Sequence, residues 1–142
     1  MPAFRITAYD SHPAEETALV DGGLDEANHA AAPLSEVRPL SCFARSHTGQ
    51  VIGGAVGRRW GTACELQQLW VAPTHRRQGI GSALVRAFEA RARAHGCFEF
   101  YLETFSFQVP ALYQSLGYTA AYEHAPYPHG IVKFVMVKHD PA

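Results

Sequence analysis

The chain has 142 residues, 47% of them hydrophobic, enough for one sizeable core, and a single domain over residues 1–142 is expected. Twelve basic residues against thirteen acidic leave a net charge of −1, so no global basic field draws the protein to nucleic acid or to an anionic membrane, and neither is expected as a partner. No stretch approaches about eighteen uninterrupted apolar residues, the N-terminus lacks a signal peptide's apolar core, Cys42, Cys64 and Cys97 form no CxxC and the histidines no HxxxH, so a cytoplasmic protein without metal is expected.

Phe4, Ile6 and Ala8 alternate with Arg5, Thr7 and Tyr9, the period of a first strand. A helical stretch follows, interrupted by Gly22-Gly23. Each glycine costs about 1 kcal/mol in a helix interior, so two short helices are predicted, near 13–20 and 24–31. Strands are predicted over 40–46, 50–59 and 62–72, joined by turns at His47-Thr48-Gly49 and Trp60-Gly61. Alternation in the third strand sets Glu65, Gln67, Leu69 and Val71 on one face, and Leu66, Gln68 and Trp70 on the other.

From Ile80 a helix carries Ile80, Ala83, Leu84, Ala87, Phe88 and Ala92 on one stripe, leaving Arg86, Glu89 and Arg93 off it, with Gly96 as its cap. A strand over 98–105 then runs parallel to the third of the meander. Pro110 starts a further helix that Gly117 closes, and strands over 118–123 and 131–138 end the chain. The order is β-α-α-β-β-β-α-β-α-β-β, an α/β (α+β) chain with about seven strands.

Leu69-Trp70-Val71 ends a strand, and the loop after it carries Arg76, Arg77, Gln78, Gly79, Ile80, Gly81 and Ser82 into a helix. Glycines admit a ligand close to the backbone, and a helix N-terminus offers N–H donors with no intrahelical partner, so the stretch reads as a phosphate cradle. Leu84 stands where a dinucleotide fingerprint needs its third glycine, six residues separate strand from glycine, and no Gly-Lys-Ser/Thr occurs. Those two nucleotide-binding motifs are therefore disfavoured.

Arg76-x-x-Gly79-x-Gly81 resembles the acyl-coenzyme A signature of the GCN5-related N-acetyltransferases, Gln/Arg-x-x-Gly-x-Gly/Ala. A second signature of that family, Asn-x-x-Ala-x-x-Leu-Tyr-x-x-x-Gly-Phe, aligns with Ser106, Val109, Leu112, Tyr113, Gly117 and Tyr118. Leu112, Tyr113 and Gly117 agree, Tyr118 is a near-equivalent, and Ser106 and Val109 depart. The element order is similar as well, so the resemblance spans nearly the whole chain. It implies one domain with a mixed, mostly antiparallel sheet and helices on both faces.

The resemblance also implies a reaction: an acetyl group passes from acetyl-CoA to a primary amine by direct attack in a ternary complex, without an acyl-enzyme. The coenzyme arm is then expected along the backbone of Leu69, Trp70 and Val71, with the Val71 N–H polarising the thioester. The pyrophosphate is expected on the N–H groups of Arg77 to Ser82, aided by the Arg76 or Arg77 side chain. Ser106 falls on the family's asparagine, and Gln108 is the neighbour able to supply its contact. Tyr113 is the general-acid candidate. Glu65, eleven residues before Arg76, aligns with the glutamate base of histone-acetylating members, and Glu103 on the next strand competes for that role.

The loop from Tyr122 to Gly130, with Tyr127, His124 and His129, and the region of Asn28 and His29 are the expected acceptor walls. The acceptor, a small molecule or a peptide, stays open, and a homodimer is compatible with the exposed final strands. A catalytically silent coenzyme-binding module, acting as a sensor, is the alternative.

Overall fold

The computed structural model describes residues 3–141. These fall into two compact units that meet at the Glu36–Val37 bond. The first holds α1 (Ala14–Ala31) and a short 3-10 turn, Leu34–Glu36. Residues 4–9, predicted as a strand, join no sheet and have no regular secondary structure, so the described sheet has six strands and not seven. Alternation is a local signal, whereas a strand also needs a partner edge for its N–H and C=O groups. The two predicted helices are one. Breaking α1 at Gly22-Gly23 would require a second helix nucleus, worth about 4 kcal/mol, against about 2 kcal/mol for keeping both glycines.

The second unit is a mixed sheet of β1 (Arg38–Arg45), β2 (Val51–Trp60), β3 (Ala63–Val71), β4 (Glu99–Phe105), β5 (Thr119–His124) and β6 (Lys133–His139), with α2 (Ile80–Ala94) and α3 (Pro110–Ser115). The strand order is β1-β2-β3-β4-β6-β5, and only β3 and β4 run parallel, as expected of strands joined through a helix. Leu84, Val85, Phe88 and Ala92 of α2 form the core with Leu40, Ala55, Leu66, Phe100, Leu102 and Met136. Among the described residues no helix is long and apolar enough to cross a membrane.

Two sequence readings are corrected inside this unit. Val56 faces Gln68 and Gly57 faces Leu66, so Gln67 is an extra residue, a bulge, in β3. A one-residue insertion reverses which face later side chains occupy. Leu69 and Val71 therefore lie with Leu66 and Cys64 on the α2 side, opposite Ala55, Gly53, Gly57 and Arg59. Glu65 shares the other face with Gln68 and Trp70.

The second correction is Glu89, which is buried in α2. Its carboxylate accepts from Tyr118 Oη at 2.9 Å and from Lys138 Nζ at 3.1 and 3.2 Å, and Arg93 lies at 3.6 Å. A carboxylate tolerates burial when it is paired and hydrogen-bonded in this way.

Candidate active site

β3 and β4 pair only from Ala63–Glu99 to Leu66–Leu102. Beyond that point the bulge at Gln67 bends β3 and the strands part. The Ala72 N–H donates to the Ile52 carbonyl at 2.7 Å, toward β2. Since N–H directions alternate along a strand, those of Leu69 and Val71 turn the other way, into the gap. A cavity of about 220 Å³ lies there, lined by Leu66, Leu69, Glu103, Thr104, Val109 and Tyr113 among others.

A larger groove, about 550 Å³, continues from β3 to the start of α2. After the 3-10 turn Pro73–His75, Arg76 Nε donates to the Val71 carbonyl at 3.0 Å and pins the loop to the strand. Arg77 (φ 62°) and Gly79 (φ 79°) both take left-handed backbone, which is costly for arginine. Such residues in a turn form concavities of N–H groups, and the first turn of α2 adds its own unpaired donors. Leu69, Trp70, Val71, Arg76, Arg77, Gly79, Ile80, Gly81 and Ser82 all line the groove; of the residues predicted for the coenzyme site, Gln78, Ser106 and Tyr113 do not.

The far wall is the β4–α3 connection: Phe107, Gln108, Val109 and Leu112. Phe107 escaped the sequence reading, although it lies between Ser106 and Gln108, both of which were singled out. Ser106 does not line the groove. Its Oγ accepts from the Val132 N–H at 3.0 Å, and its N–H donates to the Val132 carbonyl at 2.7 Å.

Gln108 lines both cavities, and its Oε1 accepts from Phe105 N–H at 2.8 Å and Thr104 Oγ1 at 3.1 Å. With the carbonyl end fixed, the amide donors of Gln108 have no protein partner among the described residues and stand where the two cavities meet.

The chain from residue 7 to residue 118 matches the model of the "Acetyltransferase (GNAT) family", which takes in the groove, the gap and α3. The chain belongs to this family. The blasticidin-S acetyltransferase of Streptomyces morookaense is 38% identical over 110 residues, covering 75% of this chain and 81% of that protein. A crystal structure of an acetyltransferase from Bacillus cereus has the same fold, with a TM-score of 0.76 at 23% identity over 94% of this chain and 98% of that one. A Bacillus anthracis protein assigned as a streptothricin acetyltransferase was solved with acetyl coenzyme A. It has a TM-score of 0.64 at 20% identity, over 73% of this chain and 64% of that one.

In this acetyltransferase Tyr113 is held by the C-terminal turn of α3. Gly117 adopts φ 98°, and the N–H groups of Gly117 and Tyr118 close back on Gln114 and Tyr113 carbonyls at 3.1 and 3.0 Å. The Tyr113 ring sits edge-on to Tyr118, 5.9 Å between centroids. Its hydroxyl has no protein hydrogen-bond partner among the described residues, and burial pushes its pKa up to about 12.

The two candidate bases differ. Glu65 lies beneath Arg58, Oε1 to Nε 3.0 Å, and does not line the gap. Glu103 lines it, on the same sheet face, and its Oε2 is 2.9 Å from Lys133 Nζ.

Proposed function

We propose that this acetyltransferase, working as one domain over residues 1–142, moves the acetyl group of acetyl-CoA to a primary amine by direct attack. The observation that carries the reading is the continuity of the groove. Free backbone N–H groups of β3 lead without interruption into a loop and helix start suited to a pyrophosphate. In this reading Leu69 and Val71 pair with the coenzyme arm as an added strand, and the Val71 N–H supports the charge that develops on the thioester oxygen. A donor of that kind is worth about 3–4 kcal/mol in well-studied enzymes. Arg76 keeps the loop in place through the Val71 carbonyl. Gln108, standing at the junction, takes the contact that Ser106 has given up.

An amine attacks only when neutral, and a lysine-type ammonium has a pKa of about 10.4, so its proton must be taken up. Glu103 is the carboxylate beside the gap and fills this role. Tyr113, protonated across the neutral range, donates a hydrogen bond to the departing sulfur. The name of the Streptomyces relative supports a small-molecule acceptor.

The test measures acetyl-CoA binding by calorimetry and free thiol release over a panel of amines. Binding with release from at least one amine supports the reading. Binding without release from any of them would make the protein a coenzyme-binding module instead, and no binding would overturn both.

A further inference from the structure

We propose that the acceptor is a cationic amine carried on a flat ring, held by an aromatic patch on the sheet beside the β3–β4 gap. This rests on the acetyl-transfer reading above and adds the chemistry of the acceptor. Three neighbouring strands carry the patch. Phe105 of β4, Lys133 of β6 and His124 of β5 stand side by side, and the next row is Glu103, Val135 and Tyr122. Phe100, Leu102 and Thr104, which alternate with Glu103 and Phe105, are buried toward α2, so these two rows lie on the opposite face.

The rings form an unbroken chain from the coenzyme groove outward. Phe107, which lines the groove, stacks on Phe105 with centroids 5.2 Å apart and planes at 13°. Tyr127 meets Phe105 edge-on at 5.5 Å, His124 meets Tyr127 edge-on at 5.8 Å, and Tyr122 stacks on His124 at 5.8 Å. The Tyr122 hydroxyl lies 3.2 Å from His124 Nδ1. The two ends of the chain, Phe107 and Tyr122, are 67% and 58% exposed, so ring faces remain for a guest.

Beside this surface stands the carboxylate of Glu103, lining the same cavity as Tyr113. An ammonium, that of Lys133, already occupies its Oε2. An entering ammonium takes the place of Lys133 at Glu103, so the carboxylate stays paired, while the flat body to which the amine is attached covers the rings. A polyhydroxylated polyamine would instead call for several carboxylates, and among the described residues Glu103 is the one that lines this cavity.

The experiment follows thiol release from acetyl-CoA with 2-phenylethylamine, 2-cyclohexylethylamine, n-hexylamine and kanamycin, on the wild type and on Tyr122→Leu. The flat-ring amine is expected to exceed the saturated-ring amine about tenfold in kcat/KM. Tyr122→Leu is expected to raise KM for the flat-ring amine alone, with the KM for acetyl-CoA unchanged. Equal kcat/KM for the flat and saturated rings, preference for kanamycin, or an unaltered KM in Tyr122→Leu would overturn this proposal and leave acetyl transfer standing. Absence of thiol release from all four, with release from other amines, would also overturn it alone. Absence from every amine would remove the acetyl-transfer reading too.

Discussion

Ser106 and Val132 are tied to each other twice, N–H to carbonyl at 2.7 Å in one direction and N–H to Oγ at 3.0 Å in the other. The pair fastens the end of β4 to the segment that leads into β6, so the serine at the family's asparagine position is committed to the frame. Ser106→Ala is expected to lose about 1 kcal/mol in denaturant unfolding, since one backbone N–H loses its acceptor. The Kd for acetyl-CoA is expected to hold, and a weakening by tenfold would return Ser106 to the coenzyme site.

The two glycines of the loop separate by backbone geometry. Gly79 has φ 79°, where an L-residue is strained, whereas a Cβ at Gly81 would meet Leu112 Cδ2 at 3.5 Å and Val71 Cγ2 at 3.9 Å, ordinary contacts. Gly79→Ala is expected to cost about 1 kcal/mol and to weaken acetyl-CoA binding. Gly81→Ala should change stability by less than about 0.5 kcal/mol and keep the coenzyme, as the alanine allowed there in the family's signature suggests. Thermal melts with and without acetyl-CoA check both.

How far the sequence reaches can be judged from particular residues. The loop from Arg76 to Ser82 was legible because its requirements are local: positive φ at a glycine, a helix start and a preceding strand. The ends of α2 and α3 were legible for the same reason, at Gly96 and Gly117. The bulge at Gln67 was not, because it exists only in the register against β2, and it moved Glu65 to the face opposite Leu69 and Val71. Nor was the burial of Glu89, whose partners Tyr118 and Lys138 lie 29 and 49 residues along the chain. The strand expected at 4–9 failed likewise, since pairing is decided by an edge that the segment itself does not contain.

The Glu89 cluster is expected to be unforgiving. Lys138→Met leaves a buried carboxylate with Tyr118 as its close donor and Arg93 at 3.6 Å, and removing one partner of a buried pair costs about 3–5 kcal/mol. Tyr118→Phe, which restores the family's usual residue, removes only one charge-assisted hydrogen bond, about 1.5–3 kcal/mol. Denaturant unfolding of both variants tests the order. If Tyr118→Phe proved the more damaging, the hydroxyl and not the ammonium would be holding Glu89.

The choice between carboxylates is open to a direct comparison. Glu103 lines the gap and Glu65 does not, so Glu103→Gln should lower kcat/KM by about 10²-fold. Glu65→Gln should leave it within assay error while breaking the contact with Arg58. The opposite result would place the base at Glu65, acting through water from beneath β3.

Tyr113 carries the sharpest pH argument. Burial raises its pKa to about 12, so the neutral phenol is the favoured form and persists throughout the range in which the enzyme is assayed. A free thiol is far more acidic than a phenol raised in this way, so a full proton transfer from Tyr113 to the thiolate is uphill. In the proposed reaction the phenol therefore acts by hydrogen bonding to the sulfur as charge develops. The proton that finally neutralises the thiolate comes from solvent or from the acceptor. Tyr113→Phe is expected to lower kcat about 10²-fold with acetyl-CoA binding retained, and its profile from about pH 6 to 10 should run parallel to that of the wild type. An alkaline fall near pH 9 present in the wild type and absent in Tyr113→Phe would show that Tyr113 titrates in the working range, and would overturn this role.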